Sequence, residues 1–147
     1  MSKVLIAEDN AVNRELLREL LEMRGYTVVE ACDGREALRM IEQTQPDLLL
    51  LDIGMPVLDG FAVVGKIREN PHLTQLPVVA VTVYAMQGDR GKILNAKFDG
   101  YLSKPVNTQS LAEELDRLLN KRTDHDISRN QSPGNQGGDK ARTTSEG

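Results

Sequence analysis

The sequence holds one cysteine, Cys32, among 147 residues, so no internal disulfide can form, and its two histidines, His72 and His125, stand isolated. A zinc site of clustered cysteine and histidine is thereby excluded. Cys32 itself reads as a small buried apolar residue. Long apolar runs are missing as well, because Val4-Leu5-Ile6-Ala7 is cut short by Glu8, too soon for a signal peptide or a membrane span. A cytoplasmic setting with no membrane contact is expected. Excess positive charge is also lacking. With 18 Lys and Arg against 22 Asp and Glu the net charge is -4, which opposes direct binding to nucleic acid and leaves proteins as the expected partners. There is no internal repeat, and the length suits one domain with a tail rather than two domains.

What is present is a regular alternation. Short apolar runs occur at Val4 to Ala7, Thr27 to Ala31, Asp47 to Leu51, Val78 to Thr82 and Gly100 to Leu102. Most are continuous rather than alternating, as in strands covered on both faces of a parallel sheet. Segments of helical period lie between them. Val12, Leu16, Leu20 and Met23 are expected to form one buried stripe, Ala37, Leu38 and Ile41 a second, and Leu111, Leu115, Leu118 and Leu119 another. Gly25 reads as a C-terminal stop of the first helix and Asp33 with Glu36 as a capping pair opening the second. The fourth helix, Met86 to Ala96, is diluted by Gly88 and Gly91 and is expected to be the least stable. Five βα units in strict alternation predict an α/β fold with a doubly wound parallel sheet of five strands. Residues 1–121 would form this domain. Residues 122–147 hold Ile127 and Ala141 as their only aliphatic side chains and are expected to be a disordered polar tail or linker.

In such a sheet the working site lies beyond the carboxyl ends of the strands, where strand order reverses. Those ends carry Glu8-Asp9, Asp52, Thr82 and Lys104-Pro105. Each alone has an ordinary explanation: Asp9 as a helix N-cap, Thr82 as a β-branched strand end, Lys104 as a solvated charge. Together, three carboxylates in one pocket repel one another unless a proton or a cation intervenes. A hard divalent ion such as magnesium, which takes oxygen ligands, resolves that conflict.

Four blocks carry a resemblance: Val-Leu-Ile-Ala-Glu8-Asp9-Asn10, Leu-Leu-Leu-Asp52-Ile-Gly-Met-Pro56-Val-Leu-Asp59-Gly60, Val-Ala-Val-Thr82, and Asp99-Gly-Tyr101-Leu-Ser-Lys104-Pro105. In order and separation they resemble a bacterial response-regulator receiver domain over about residues 1–121, whether stand-alone, like the chemotaxis regulators, or taken from a hybrid sensor kinase. The resemblance implies a flavodoxin-like strand order, 2-1-3-4-5. It implies that Asp52 accepts a phosphoryl group from a histidine kinase or a histidine phosphotransfer protein. It implies Mg2+, with Mn2+ as a substitute, held by Glu8, Asp9, Asp52 and the backbone carbonyl of Gly54. Lys104 and Thr82 would contact phosphoryl oxygens, a cis bond before Pro105 would aim the lysine, and Tyr101 would swing inward as Thr82 moves. Such a domain is not an enzyme acting on other substrates; it promotes only its own phosphorylation and dephosphorylation. Output would reach a downstream protein through the fourth helix, fifth strand and fifth helix.

Val83 stands where the family usually has a smaller residue, and Tyr84 follows it; both are expected to tune the lifetime of the phosphoryl group. Two other readings fit less well. A phosphatase of the haloacid-dehalogenase type would carry a second acid where Gly54 stands. A nucleotide- or flavin-binding protein would carry a Gly-rich or hydroxyl-rich loop after the first strand, where this chain has Glu8 and Asp9. A receiver that had lost phosphorylation would have no need of Asp52, Thr82 and Lys104 together.

Overall fold

The computed structural model describes residues 2–55, 58–83 and 89–120. Its elements alternate as the sequence predicts: β1 (Lys3–Ala7), α1 (Ala11–Met23), β2 (Thr27–Ala31), α2 (Gly34–Thr44), β3 (Leu48–Asp52), α3 (Gly60–Glu69), β4 (Val78–Thr82), α4 (Asp89–Asn95), β5 (Gly100–Ser103) and α5 (Thr108–Leu115). Every strand pair is parallel, and the order across the sheet is β2-β1-β3-β4-β5. The unit built from these elements ends at Leu115. A second unit begins at Asp116, and its described part is a π-helical turn, Asp116–Asn120. The expected tail, Tyr84, Pro56 and the stretch from Met86 to Gly88 of the expected fourth helix lie outside the described residues.

The central strands explain the continuous apolar runs. β3 and β4 are buried at every position and β1 at all but Lys3, because helices cover both faces of the sheet. β2, at one edge, is only partly buried. Full burial of one leucine such as Leu49 or Leu50 contributes roughly 1.5–3 kcal/mol.

Helix ends follow local chemistry. Asn10, not Asp9, caps α1: its side chain accepts from the Asn13 amide at 2.9 Å, which leaves the Asp9 carboxylate exposed and uncommitted to the cap. Gly25 adopts φ +89° just past α1, a left-handed conformation that glycine takes without strain. Asp33 accepts from the Glu36 amide at 2.8 Å, while Glu36 reaches back to the amide of Cys32 at 2.6 Å.

Three expectations are corrected. On α1, Leu17 and Leu21 are buried, whereas Val12, Leu16 and Met23 are 75%, 43% and 81% exposed and Leu20 is half-buried. The helix carries two apolar stripes, and hydrophobic period alone does not choose between them. Arg14 and Arg18 do, since both pair with Glu30 of β2 and so turn the Leu17–Leu21 side toward the sheet. Cys32 is exposed rather than buried, because it follows the last residue of β2 in the turn leading to α2. Third, the last helix is shorter than the leucine period implies: Leu111, Leu115 and Leu119 are buried as expected, but α5 ends at Leu115, and Leu118 and Leu119 belong to the π-helical turn.

Candidate functional site

The order of strands places the site. Because the chain reverses direction of winding between β1 and β3, these two strands are neighbours with Ala7 beside Leu51, and their carboxyl ends open into one cleft. Glu8 and Asp9 follow β1, Asp52 ends β3, Thr82 ends β4, and Lys104 follows β5. The Lys104 amide donates to the Thr82 carbonyl at 2.9 Å, which continues the β4–β5 pairing to the edge of the cleft. The Lys104–Pro105 peptide bond is cis.

Glu8, Asp9 and Asp52 each bring a carboxylate oxygen within 4.8 Å of the others. Lys104 Nζ lies 3.1 Å from Glu8 Oε1 and 3.2 Å from Asp52 Oδ2. Asp52 Oδ1 accepts from the Gly54 amide at 3.0 Å, so the two carboxylate oxygens of Asp52 face different partners. Glu8 Oε2 accepts from the Asn10 amide at 3.1 Å. Its Oε1 is buried and makes no well-directed hydrogen bond among the described residues, although the ammonium stands close as an ion pair.

Electrostatics explains why this cluster invites a cation. Desolvation holds the Glu8 carboxyl above its ordinary value; the Asn10 amide and Lys104 oppose that rise and the Asp52 charge adds to it. Burial alone would lower the Lys104 ammonium, but its contact with Glu8 and the charges of Asp52 and Glu8 outweigh burial and hold it above its ordinary value. Three carboxylates against one ammonium leave two negative charges uncompensated. An all-oxygen donor set, one buried oxygen lacking a hydrogen bond, and that residual charge fit a hard divalent ion.

Thr82 is buried at the rim, and Val83 beside it is 56% exposed. Tyr101 is half-buried against the main core, paired in register with Ala80. A groove of about 270 Å³ leaves the cleft between α1 and the segment after β5, bounded by Glu8, Leu16, Val83, Lys104, Pro105 and Val106. The sequence reading missed the Gly54 amide, because a backbone donor leaves no side-chain signature. It also missed Arg14, whose Nη1 donates to the Glu8 carbonyl at 2.7 Å.

Comparison with known proteins resolves what the cleft belongs to. A family profile described as the response regulator receiver domain matches residues 4–116. The chain belongs to that family. As a receiver domain it has a phosphoacceptor role in two-component signalling. Among its relatives is the polar-differentiation response regulator DivK of Brucella anthropi, 36% identical over 116 residues, which cover 79% of this receiver and 94% of the relative. The receiver domain of the sensor histidine kinase PA1611 from Pseudomonas aeruginosa is 35% identical, with a TM-score of 0.75 over 81% of this chain and 98% of that one; its structure holds a magnesium ion coordinated in the active-site cleft. The chemotaxis response regulator CheY4 of Vibrio cholerae is 31% identical, with a TM-score of 0.76 over 81% of this chain and 99% of that one. No helix among the described residues of this receiver is long and apolar enough to cross a membrane.

Proposed function

We propose that Asp52 is the phosphoacceptor of this receiver domain, and that its carboxylate attacks the phosphorus of a phosphohistidine on a histidine kinase or phosphotransfer protein to form a mixed anhydride, as the P–N bond breaks and the imidazole leaves. The observation that carries this reading is the convergence on Asp52 of a lysine at 3.2 Å and two further carboxylates within 4.8 Å at the strand-order reversal. Mg2+, with Mn2+ as a substitute, would be held by Glu8, Asp9, Asp52 and the Gly54 carbonyl. When bound, such an ion offsets the charge on the transferring phosphoryl oxygens.

The remaining roles belong to the chain itself. The Gly54 amide holds Asp52 Oδ1, which leaves Oδ2 as the attacking oxygen. Lys104 then exchanges part of its contact with Glu8 and Asp52 for a phosphoryl oxygen, and the Thr82 hydroxyl donates to another. Thr82 moving toward the phosphate frees space for Tyr101, and the altered α4–β5–α5 face engages a downstream protein. Val83 and Tyr84 narrow the approach of water and lengthen the lifetime of the acyl phosphate. The activity is confined to this self-directed phosphorylation and dephosphorylation, in the cytoplasm, with residues 1–121 as the receiver and 122–147 as a polar tail or linker.

The phosphodonor is proposed to dock along α1. Exposed Val12, Leu16 and Met23 form an apolar stripe, and Leu16 continues it into the groove that Val83, Pro105, Glu8 and Lys104 also line. A helix that presents phosphohistidine to Asp52 would cover this stripe.

Intact-mass measurement after incubation with acetyl phosphate and Mg2+ tests the reading. Wild type is expected to gain one phosphoryl group, and Asp52→Asn none. An unmodified wild-type chain, or equal labelling of the variant, overturns it.

A further inference from the structure

We propose that Arg14 is a positioning residue for the cation site, which it serves by fixing the peptide that joins Glu8 to Asp9; this rests on the reading that these carboxylates hold Mg2+. The Glu8 backbone is held from two sides. Its amide donates to the Ala31 carbonyl at the end of β2 at 3.1 Å, and its carbonyl accepts from Arg14 Nη1 at 2.7 Å. The second bond fixes the plane of the Glu8–Asp9 peptide. Asp9 is exposed and has no capping bond to steady it, since Asn10 caps α1. Its direction therefore depends on that plane.

The guanidinium is itself held. Arg14 Nε donates to Glu30 Oε1 at 3.1 Å, and Arg18 Nη1 donates to Glu30 Oε2 at 2.7 Å, so one carboxylate anchors both arginines. The Arg14 side chain is only 17% exposed. A planar fork bridging a carboxylate and a backbone carbonyl is a task that a lysine ammonium performs only in part. Glu30 also offsets part of the arginine charge beside the carboxylate cluster.

The sign of the effect separates positioning from electrostatics. Removing a positive charge near the cleft should tighten cation binding if charge alone matters. Loss of a positioning bond should weaken it, by about tenfold for a partner outside the ligand shell.

Mn2+ titration followed by electron paramagnetic resonance, with Mg2+ competition, reads the dissociation constants at a temperature where melting curves show each protein folded. Arg14→Ala is expected to bind Mg2+ about tenfold more weakly, and Arg14→Lys to recover part of the loss. Arg18→Ala, which leaves the Glu8 carbonyl bond intact, is expected to bind like wild type. Should Arg14→Ala fail to fold, Arg14→Lys carries the test alone, as it keeps the charge and lacks the planar fork. Unchanged or tighter binding by a folded Arg14 variant overturns the inference while leaving the site reading intact. A wild-type protein that binds no Mg2+ overturns both.

Discussion

Glu8 shows how one side chain couples the site to stability. It is 1% exposed, and desolvation lifts its folded pKa above the ordinary 4.5. Between pH 4.5 and that raised value the native state of the metal-free protein keeps a proton that the unfolded chain has released, so stability falls as pH rises. Glu8→Gln removes this slope. Urea midpoints of metal-free wild type and Glu8→Gln at a series of pH values are expected to converge as pH falls and to separate above it; parallel curves would show that Glu8 does not titrate as a desolvated acid. Lys104 acts at the other end of the scale: its folded value is raised above 10.5, so its contribution is complete below that pH and is lost as pH rises through the folded value. Val83 has a separate consequence. Its exposed side chain lines the groove with Glu8 and Lys104, which flank Asp52, so Val83→Ala is expected to shorten the acyl-phosphate lifetime about threefold, a barrier change of ~0.7 kcal/mol. Dephosphorylation that is no faster in the variant, followed by loss of the phosphoprotein mass, would remove Val83 as the shield.

At the scale of elements, the strands were legible because burial on both faces writes itself as an unbroken apolar run. Val78 to Thr82 has the same limits in sequence and structure, and so does Thr27 to Ala31, although that edge strand is only partly buried and holds Glu30. α1 was legible as a helix but not in its orientation, since Val12, Leu16 and Met23 mimic a core stripe and the two arginines that choose the buried side act through Glu30, far along the chain. The acidic cluster could be assembled from the sequence because side chains that end strands converge by topology. What holds the cluster could not, as backbone donors and close approaches carry no residue signature. Gly60, visible in the sequence though its reason is not, is one such approach: a Cβ there would lie 2.7 Å from the Ile53 Cα and 2.9 Å from the Asp52 carbonyl oxygen, so only glycine lets α3 begin against the end of β3 that carries Asp52. Arg68 of α3 is another hidden tie. Its guanidinium donates to the carbonyls of Thr74, Leu76 and Lys97 and pairs with Asp99 at 2.8 Å, and Asp99 in turn accepts from the Val78 amide at 2.8 Å. That network joins the starts of β4 and β5 to the residues just past α4, at the end of the sheet away from Asp52. α4 is thereby anchored behind its C-terminus.

For the whole molecule, the separation of chemistry from recognition decides what a partner must supply. Asp52, Glu8 and Lys104 lie within the cleft, and acetyl phosphate, supplied with Mg2+, needs no docking surface beyond it. A protein donor must also rest its own surface somewhere, and the apolar stripe of α1 leads directly into the groove beside the cleft. Val12 and Leu16 are exposed, so replacing both with glutamine is expected to change stability by no more than about 0.5 kcal/mol each. Loss of one modest apolar contact with a partner, worth ~1.4 kcal/mol, is a tenfold change in affinity. The double variant should therefore accept phosphoryl from acetyl phosphate at the wild-type rate. It should be slower by about tenfold or more with a histidine-phosphorylated phosphotransfer domain that labels wild type. Parallel rate measurements with the two donors check this. Equal slowing with both would place Val12 and Leu16 in the chemistry, and unchanged transfer from the protein donor would move the docking face away from α1.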